Sequence, residues 1–127
     1  MIKERYVSFT LAMKLREKGF DERTKGHYSL KESSFKEFKY WEGEGYRNSK
    51  WPYPLSAPTH QMVIEWLREK HLIFISVKPR LVEGDIIYRS EIDILNHGYI
   101  VTAVSFEDKS YNKACIKAID YAVNTFL

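Results

Sequence analysis

The sequence predicts an α+β fold, in which an antiparallel meander of three or four strands carries two or three helices packed on one face. Residues 56–71 indicate a capped amphipathic helix, and the apolar run Leu72–Val77 follows at once as a strand. Two further strand patterns are joined by a turn signal, and a second long helical pattern closes the chain. The predicted order is α-(irregular or β)-α-β-β-β-α, which favours helices packed against one side of a meander.

One domain over residues 1–127 is the expectation for a chain of this length, which is long enough to bury a core. It divides into an N-terminal helix (1–20), an aromatic-rich irregular segment (21–56) and a helix-sheet-helix core (57–127). The net charge is +3, and residues 1–56 hold 12 Lys/Arg and 8 Asp/Glu, whereas residues 57–127 hold 8 and 9. Any basic surface is therefore expected in the N-terminal part.

Cysteine usage and hydropathy predict the cellular setting. A single Cys115 cannot form an intramolecular disulfide, which is typical of a reducing compartment. The opening residues lack the apolar run of a signal peptide, and no segment approaches the length of a membrane span. We therefore expect a cytoplasmic protein with no membrane partner.

The first predicted helix covers residues 8–18. Ser8 can accept a hydrogen bond as its N-cap, and Gly19 stands where a left-handed residue ends many helices. The following segment, 21–56, has poor periodicity and is interrupted by glycines and prolines. Long segments of this kind are usually either functional or loosely ordered.

Regular patterns return at Ser56. This residue is predicted to cap a helix that contains Pro58 in its first turn and runs to about Lys70. The run Leu72–Val77 is apolar at nearly every position, which favours a strand that is central or covered on both faces.

Two more strands and a helix complete the prediction. Residues 86–94 alternate, so that a polar row faces water or a partner: Arg89, Glu91 and Asp93. The turn signal Asn96-His97-Gly98 joins this strand to a strand over 99–106. Ser110 then caps a helix over 111–125, whose alanine-rich face is compatible with a homodimer or with a core.

Residues that could carry catalytic chemistry are scattered. The histidines at 27, 60, 71 and 97 lack metal-ligand spacing, and Cys115 lies on an apolar helical face, which is typical of an inert thiol. An enzyme would require His60 or His97 to meet Glu91 or Asp93 in one pocket. We predict a non-enzymatic protein with no cofactor and no metal site.

The aromatic and basic segment 27–53 is the candidate binding region. Exposed aromatic side chains suit a protein partner, and the candidates are Tyr40, Trp41, Tyr46, Arg47, Trp51 and Tyr53. The alternative is nucleic acid, because bases stack on aromatic rings beside basic side chains. Its candidates are Lys31, Lys36, Lys39 and Lys50, with Lys109, Lys113 and Lys117 at the start of the last helix. A protein partner is the favoured hypothesis.

Two resemblances bear on context. Residues 57–68, the closing stretch 110–122 and the opening Tyr6-Val-Ser-Phe9 resemble a family of short uncharacterised proteins from gut bacteria and their phages. This resemblance implies a phage- or mobile-element-type accessory protein and no assigned activity. The α-β-β-β-α order also resembles that of double-stranded-RNA-binding domains, in which a basic start to the last helix meets phosphates. Glu107 and Asp108 beside that start depart from the pattern.

Overall fold

The computed structural model describes residues 3–37, 47–48 and 54–127. The chain divides into two compact units, an N-terminal unit over residues 1–59 and a C-terminal unit over residues 60–127. Their boundary lies three residues from the predicted start of the helix-sheet-helix core. That the chain behaves as one domain stays a prediction.

The N-terminal unit is a short helix with a small sheet. Helix α1 spans Phe9–Glu17, and the strands are β1 (Gly26–Tyr28), β2 (Phe35–Glu37) and β3 (Leu55–Ala57). The sheet is antiparallel with the order β2-β1-β3. The segment predicted as irregular or β therefore contains strands.

Both predicted signals at the ends of α1 are confirmed. The Ser8 Oγ accepts a hydrogen bond from the Leu11 N–H at 3.2 Å, and Gly19 has a φ of 92°. The helix buries Leu11 and Leu15, which form the core of this unit together with Phe20 and other apolar side chains.

The C-terminal unit has the predicted helix-meander-helix order. It consists of α2 (His60–His71), β4 (Ile73–Val82), β5 (Asp85–Asn96), β6 (Tyr99–Asp108) and α3 (Tyr111–Thr125). The three strands form an antiparallel sheet with the order β4-β5-β6. Helices α2 and α3 pack on this sheet, so the predicted α+β meander is confirmed.

Packing against the helices follows the alternation of side chains in β5. Ser90 and Ile92 are buried at 0% exposure, whereas Glu91 between them is half-buried on the other face. In α3 the small side chains Ala114, Ala118 and Ala122 are fully buried. The alanine-rich face of α3 is therefore a core face.

The prediction that the run Leu72–Val77 forms a central strand, or one covered on both faces, is wrong. Strand β4 lies at an edge of the sheet, β5 is central, and of that run only Ile73 is buried. The strand also continues through Pro79 to Val82. An edge strand tolerates proline because the missing N–H can lie on the unpaired side.

The predicted cap of α2 is also wrong. Ser56 lies in β3, where it pairs with His27, and its N–H donates to the Asn48 Oδ1 at 3.1 Å. Because its backbone belongs to a strand, it cannot start the helix, which begins at His60. The cap of α3 is confirmed, since the Ser110 Oγ accepts from the Lys113 N–H at 3.2 Å.

Both hairpins of the meander have two-residue turns. His97 and Gly98 have φ values of 50° and 84°, which confirms the predicted turn. Glu83 and Gly84 have φ values of 50° and 85°, so the chain between β4 and β5 is a second turn of the same kind. Two consecutive residues with positive φ are typical of the turn that matches the twist of paired strands.

Candidate interaction surface

Most of the aromatic candidates lie outside the described residues: Tyr40, Trp41, Tyr46, Trp51 and Tyr53. Arg47 is described and half-buried. Its Nη2 lies 3.3 Å from the Asp21 Oδ2, and its Nε donates to the Asp21 carbonyl oxygen at 3.1 Å. This guanidinium therefore makes contacts within the N-terminal unit, and its role in partner binding stays a prediction.

The described lysines of the nucleic-acid alternative lie at two places in the chain. Lys39 and Lys50 are outside the described residues, and Lys31 and Lys36 are exposed in the N-terminal unit. At the start of α3, Lys109, Lys113 and Lys117 are exposed beside two acidic residues.

Lys117 is engaged by the acidic end of β6. Its Nζ lies 3.0 Å from the Asp108 Oδ2 and donates to the Glu107 carbonyl oxygen at 2.9 Å. The Ser110 backbone N–H and Lys117 together hold the pKa of Asp108 below its ordinary value. A lysine that neutralises an adjacent carboxylate contributes less to phosphate binding, which weakens the nucleic-acid hypothesis at this helix start.

His60 and the two carboxylates considered for catalysis lie on opposite faces of the sheet. The His60 Nδ1 is 3.0 Å from the Asn112 Oδ1, on the helical side of the sheet, whereas Glu91 and Asp93 lie on the opposite face. Burial raises the pKa of the Cys115 thiol, which keeps it protonated. Among the residues that the structure describes, no three His, Cys, Asp or Glu side chains are grouped to hold a metal ion.

A phenol in the N-terminal unit lies between two carboxylates. The Tyr6 Oη is 2.6 Å from the Glu37 Oε2 and 2.8 Å from the Glu4 Oε2. Burial, followed by these two carboxylates, raises the pKa of Tyr6 well above its ordinary value. The neutral phenol is a hydrogen-bond donor that ties the start of the chain to β2.

The face of the β4-β5-β6 sheet that points away from the helices is polar, as predicted. Arg89 Nε donates to the Glu91 Oε1 at 3.1 Å, and Arg80 pairs with Glu107. The Thr102 hydroxyl donates to the Asp93 Oδ1 at 2.7 Å. These side chains bond to one another along β5 and between strands, so much of their hydrogen-bonding capacity is used within the sheet.

The two ends of this sheet expose apolar side chains. At the β4–β5 turn, Leu81 is 75% exposed and Ile86 is 58% exposed, and the two face each other across the hairpin. At the β5–β6 turn, Tyr99 is 75% exposed and Ile100 is 62% exposed, with Leu95 opposite Ile100. Exposed apolar clusters of this kind often mark interaction sites.

The two edge strands each contain five consecutive exposed residues, and their chemistry differs. In β4 this run is Lys78-Pro79-Arg80-Leu81-Val82, and in β6 it is Tyr99-Ile100-Val101-Thr102-Ala103. Charges and proline protect an edge strand from pairing with another chain. The run in β6, which we call the open edge segment (residues 99–103), contains neither.

The register shows where the backbone groups of the open edge segment point. A two-residue turn makes Asn96 and Tyr99 a hydrogen-bonded pair. Since such pairs alternate along the strands, Ile100 and Thr102 turn their N–H and C=O groups away from β5. The segment ends at a bulge, where Ala103 is the extra residue between the pairs Asp93–Thr102 and Ile92–Val104.

Sequence reasoning did not identify this segment as a site. The pattern from 99 to 106 predicts a strand and does not indicate its position in the sheet. The available signal was the absence of charge and proline from eight consecutive residues. That signal has functional meaning only for an edge strand, and the position of a strand in its sheet is a property of the tertiary structure.

Comparison with known proteins adds no family to these observations. No protein-family model, curated protein or solved structure matches this chain. No helix formed by the described residues is long and apolar enough to cross a membrane.

Proposed function

We propose that this chain is a non-enzymatic protein that binds another polypeptide through the open edge segment of β6. The partner adds to the sheet as an extended strand, and its backbone pairs with the outward N–H and C=O groups of Ile100 and Thr102. Strand addition of this kind takes its affinity from main-chain hydrogen bonds and its specificity from alternate side chains.

Five exposed, uncharged residues on an edge strand carry this proposal. All five side chains from Tyr99 to Ala103 are exposed, and none is charged. Tyr99 offers a large, amphipathic side chain, which is a residue type enriched in protein interfaces. Leu95 extends the apolar surface onto the neighbouring strand.

The proposal keeps the favoured hypothesis of a protein partner and moves its site from segment 27–53 to β6. It also includes the setting that the sequence resemblance implies, an accessory protein of a phage or mobile element in a bacterial cytoplasm.

Photo-crosslinking in bacterial cells tests this site. Tyr99→p-benzoylphenylalanine places a reactive group on the open edge segment, and Leu81→p-benzoylphenylalanine places the same group at an equally exposed position on the other hairpin. We expect crosslinks to a polypeptide from position 99 and few from position 81. Adding Thr102→Pro should abolish them, because it removes an N–H that β5 does not use and blocks a new strand. Equal crosslinking from both positions, or none from position 99, would contradict the proposal.

Fluorescence anisotropy distinguishes the nucleic-acid alternative. Labelled duplex RNA, duplex DNA and single-stranded DNA are titrated with the chain at low and at physiological salt. Binding through phosphates would weaken steeply as salt increases, because it releases counterions. We expect flat titrations with all three probes, and salt-sensitive micromolar binding would favour the lysines instead.

A further inference from the structure

We infer that the strand received by the open edge segment is the same segment of a second copy of this chain. The inference rests on the proposed function and names its partner. The two copies of β6 run antiparallel about a two-fold axis and join their sheets into one continuous sheet of six strands.

Of the two edge strands of this sheet, only β6 can accept another strand along its exposed run. Val82 and Asp85 flank a two-residue turn and form a hydrogen-bonded pair. Because such pairs alternate along the strands, the pair Pro79–Tyr88 is not hydrogen-bonded. The backbone groups of Pro79 therefore point to the free edge. Proline has no N–H to offer there, and Lys78 and Arg80 flank it. Pairing of β6 with β4 of another copy would form an open filament, and this edge of β4 disfavours it. Pairing of β6 with β6 uses one surface twice and closes as a dimer.

The open edge segment is complementary to a second copy of itself. In a two-fold antiparallel pair, one residue faces its own copy. With Val101 in that place, Ile100 faces Thr102 of the second copy and Tyr99 faces Ala103. The outward backbone groups of Ile100 and Thr102 then meet each other, and the small Ala103 side chain leaves space for the Tyr99 ring.

This pairing uses all five exposed residues of the open edge segment and ends at Ala103, where the exposed run also ends. The bulge at Ala103 bends the strand, and beyond it Val104, Ser105 and Phe106 are half-buried. Within the five paired residues no charged side chain faces another. The Thr102 hydroxyl is already bonded to Asp93, so pairing leaves no new unsatisfied hydroxyl on that face.

Sedimentation of the full chain over a range of concentrations provides the first test. We expect the wild type to form dimers and no larger species. Val101→Lys places two ammonium groups opposite each other on the axis and should raise the dimer dissociation constant at least about a hundredfold, because facing like charges in an interface cost several kcal/mol. The matched control Leu81→Lys changes an exposed apolar residue of the other hairpin and should leave the dissociation constant unchanged. Circular dichroism of both variants checks that they are folded.

Oxidation of Val101→Cys tests the register. Neighbouring backbones at a pair that is not hydrogen-bonded bring the Cα atoms to about 4.5 Å, within the range that a disulfide spans. We expect a covalent dimer from Val101→Cys and none from Leu81→Cys, while the buried Cys115 is common to both.

The outcomes separate this inference from the proposed function. A wild type that stays monomeric, or dimers that Val101→Lys does not weaken, would overturn the second copy as partner. If position 99 still crosslinks to a different polypeptide in that case, the proposed function stands and this inference fails. If the chain is monomeric and position 99 crosslinks to nothing, both fail.

Discussion

At one end of the C-terminal sheet β4 and β5 meet in the turn Glu83-Gly84, and at the other end β5 and β6 meet in the turn His97-Gly98. The two turns have nearly the same φ values. Five exposed strand residues precede the first turn, and five follow the second. The side chains of the two exposed runs differ. One run contains Lys78, Pro79 and Arg80, whereas the other has no charged residue and no proline. Two hairpins with the same kind of turn therefore have one edge strand that is protected from pairing and one that is open to it. We propose that side-chain chemistry on equivalent strands decides which edge accepts another strand.

The middle of the sheet contrasts with both ends, and the largest expected effect tests this contrast. Ile92 and Ile86 lie on the same row of β5, yet Ile92 is 0% exposed and Ile86 is 58% exposed. We expect Ile92→Ala to lower the free energy of unfolding by about 3 kcal/mol through lost burial and a cavity. Ile86→Ala is the control and should cost less than about 0.5 kcal/mol. Urea denaturation measures both, and similar losses would mean that the helices do not define the core as described.

The two turns should respond alike to loss of their glycine. Gly84→Ala and Gly98→Ala each place a Cβ in a left-handed conformation, where no heavy atom outside the adjacent residues lies within 4 Å of it. The cost is therefore one of backbone strain alone, about 1–2 kcal/mol for each variant. Thermal denaturation of the two variants gives the comparison. A loss at one turn only would show that the two hairpins differ in their backbones and not merely in their side chains.

The row of β5 side chains that faces the helices also contains a buried hydroxyl group. The Ser90 Oγ is buried and has no hydrogen-bond partner in the part of the chain that the structure describes. We expect Ser90→Ala to raise the free energy of unfolding by about 1 kcal/mol, because it removes an unsatisfied hydroxyl. Ser105→Ala, on a half-buried position of β6, is the control and should have little effect. A loss of stability on removing the Ser90 hydroxyl would show that it is bonded in solution.

Acid should reduce the contribution of Asp108, at the end of β6, to the free energy of unfolding. This effect is the smallest of those expected. The Ser110 N–H and Lys117 lower the pKa of Asp108 from its ordinary value near 3.8. A lowered pKa contributes stability above the ordinary pKa, and this contribution is lost as the pH falls through the folded-state value. We expect the difference in unfolding free energy between the wild type and Asp108→Asn to shrink between pH 5 and pH 3. Asp93→Asn serves as a control, and a constant difference would contradict the coupling.

Local patterns in the sequence were sufficient for most elements of the C-terminal unit. Ser110 as a cap, the alternation through Ile92 and the turn at His97-Gly98 were predicted because capping, pleating and positive φ depend on a few neighbouring residues. The turn at Glu83-Gly84 carries a similar signal, yet the strands predicted on its two sides leave Arg80 to Asp85 between them. The phage-type resemblance and the roles of residues 27–53 stay predictions.

What the sequence determined by itself was the order of the helices and strands in the C-terminal unit and the row of polar side chains at Arg89, Glu91 and Asp93. The tertiary structure decided that β5 is central, that β4 and β6 are edges, and that Ser56 belongs to a strand. These outcomes depend on which segments pair over long distances, and an apolar run such as Leu72–Val77 has the same appearance in a central strand as in an edge strand beneath a helix. Only when β6 is known to be an edge does its lack of charge become a prediction about binding.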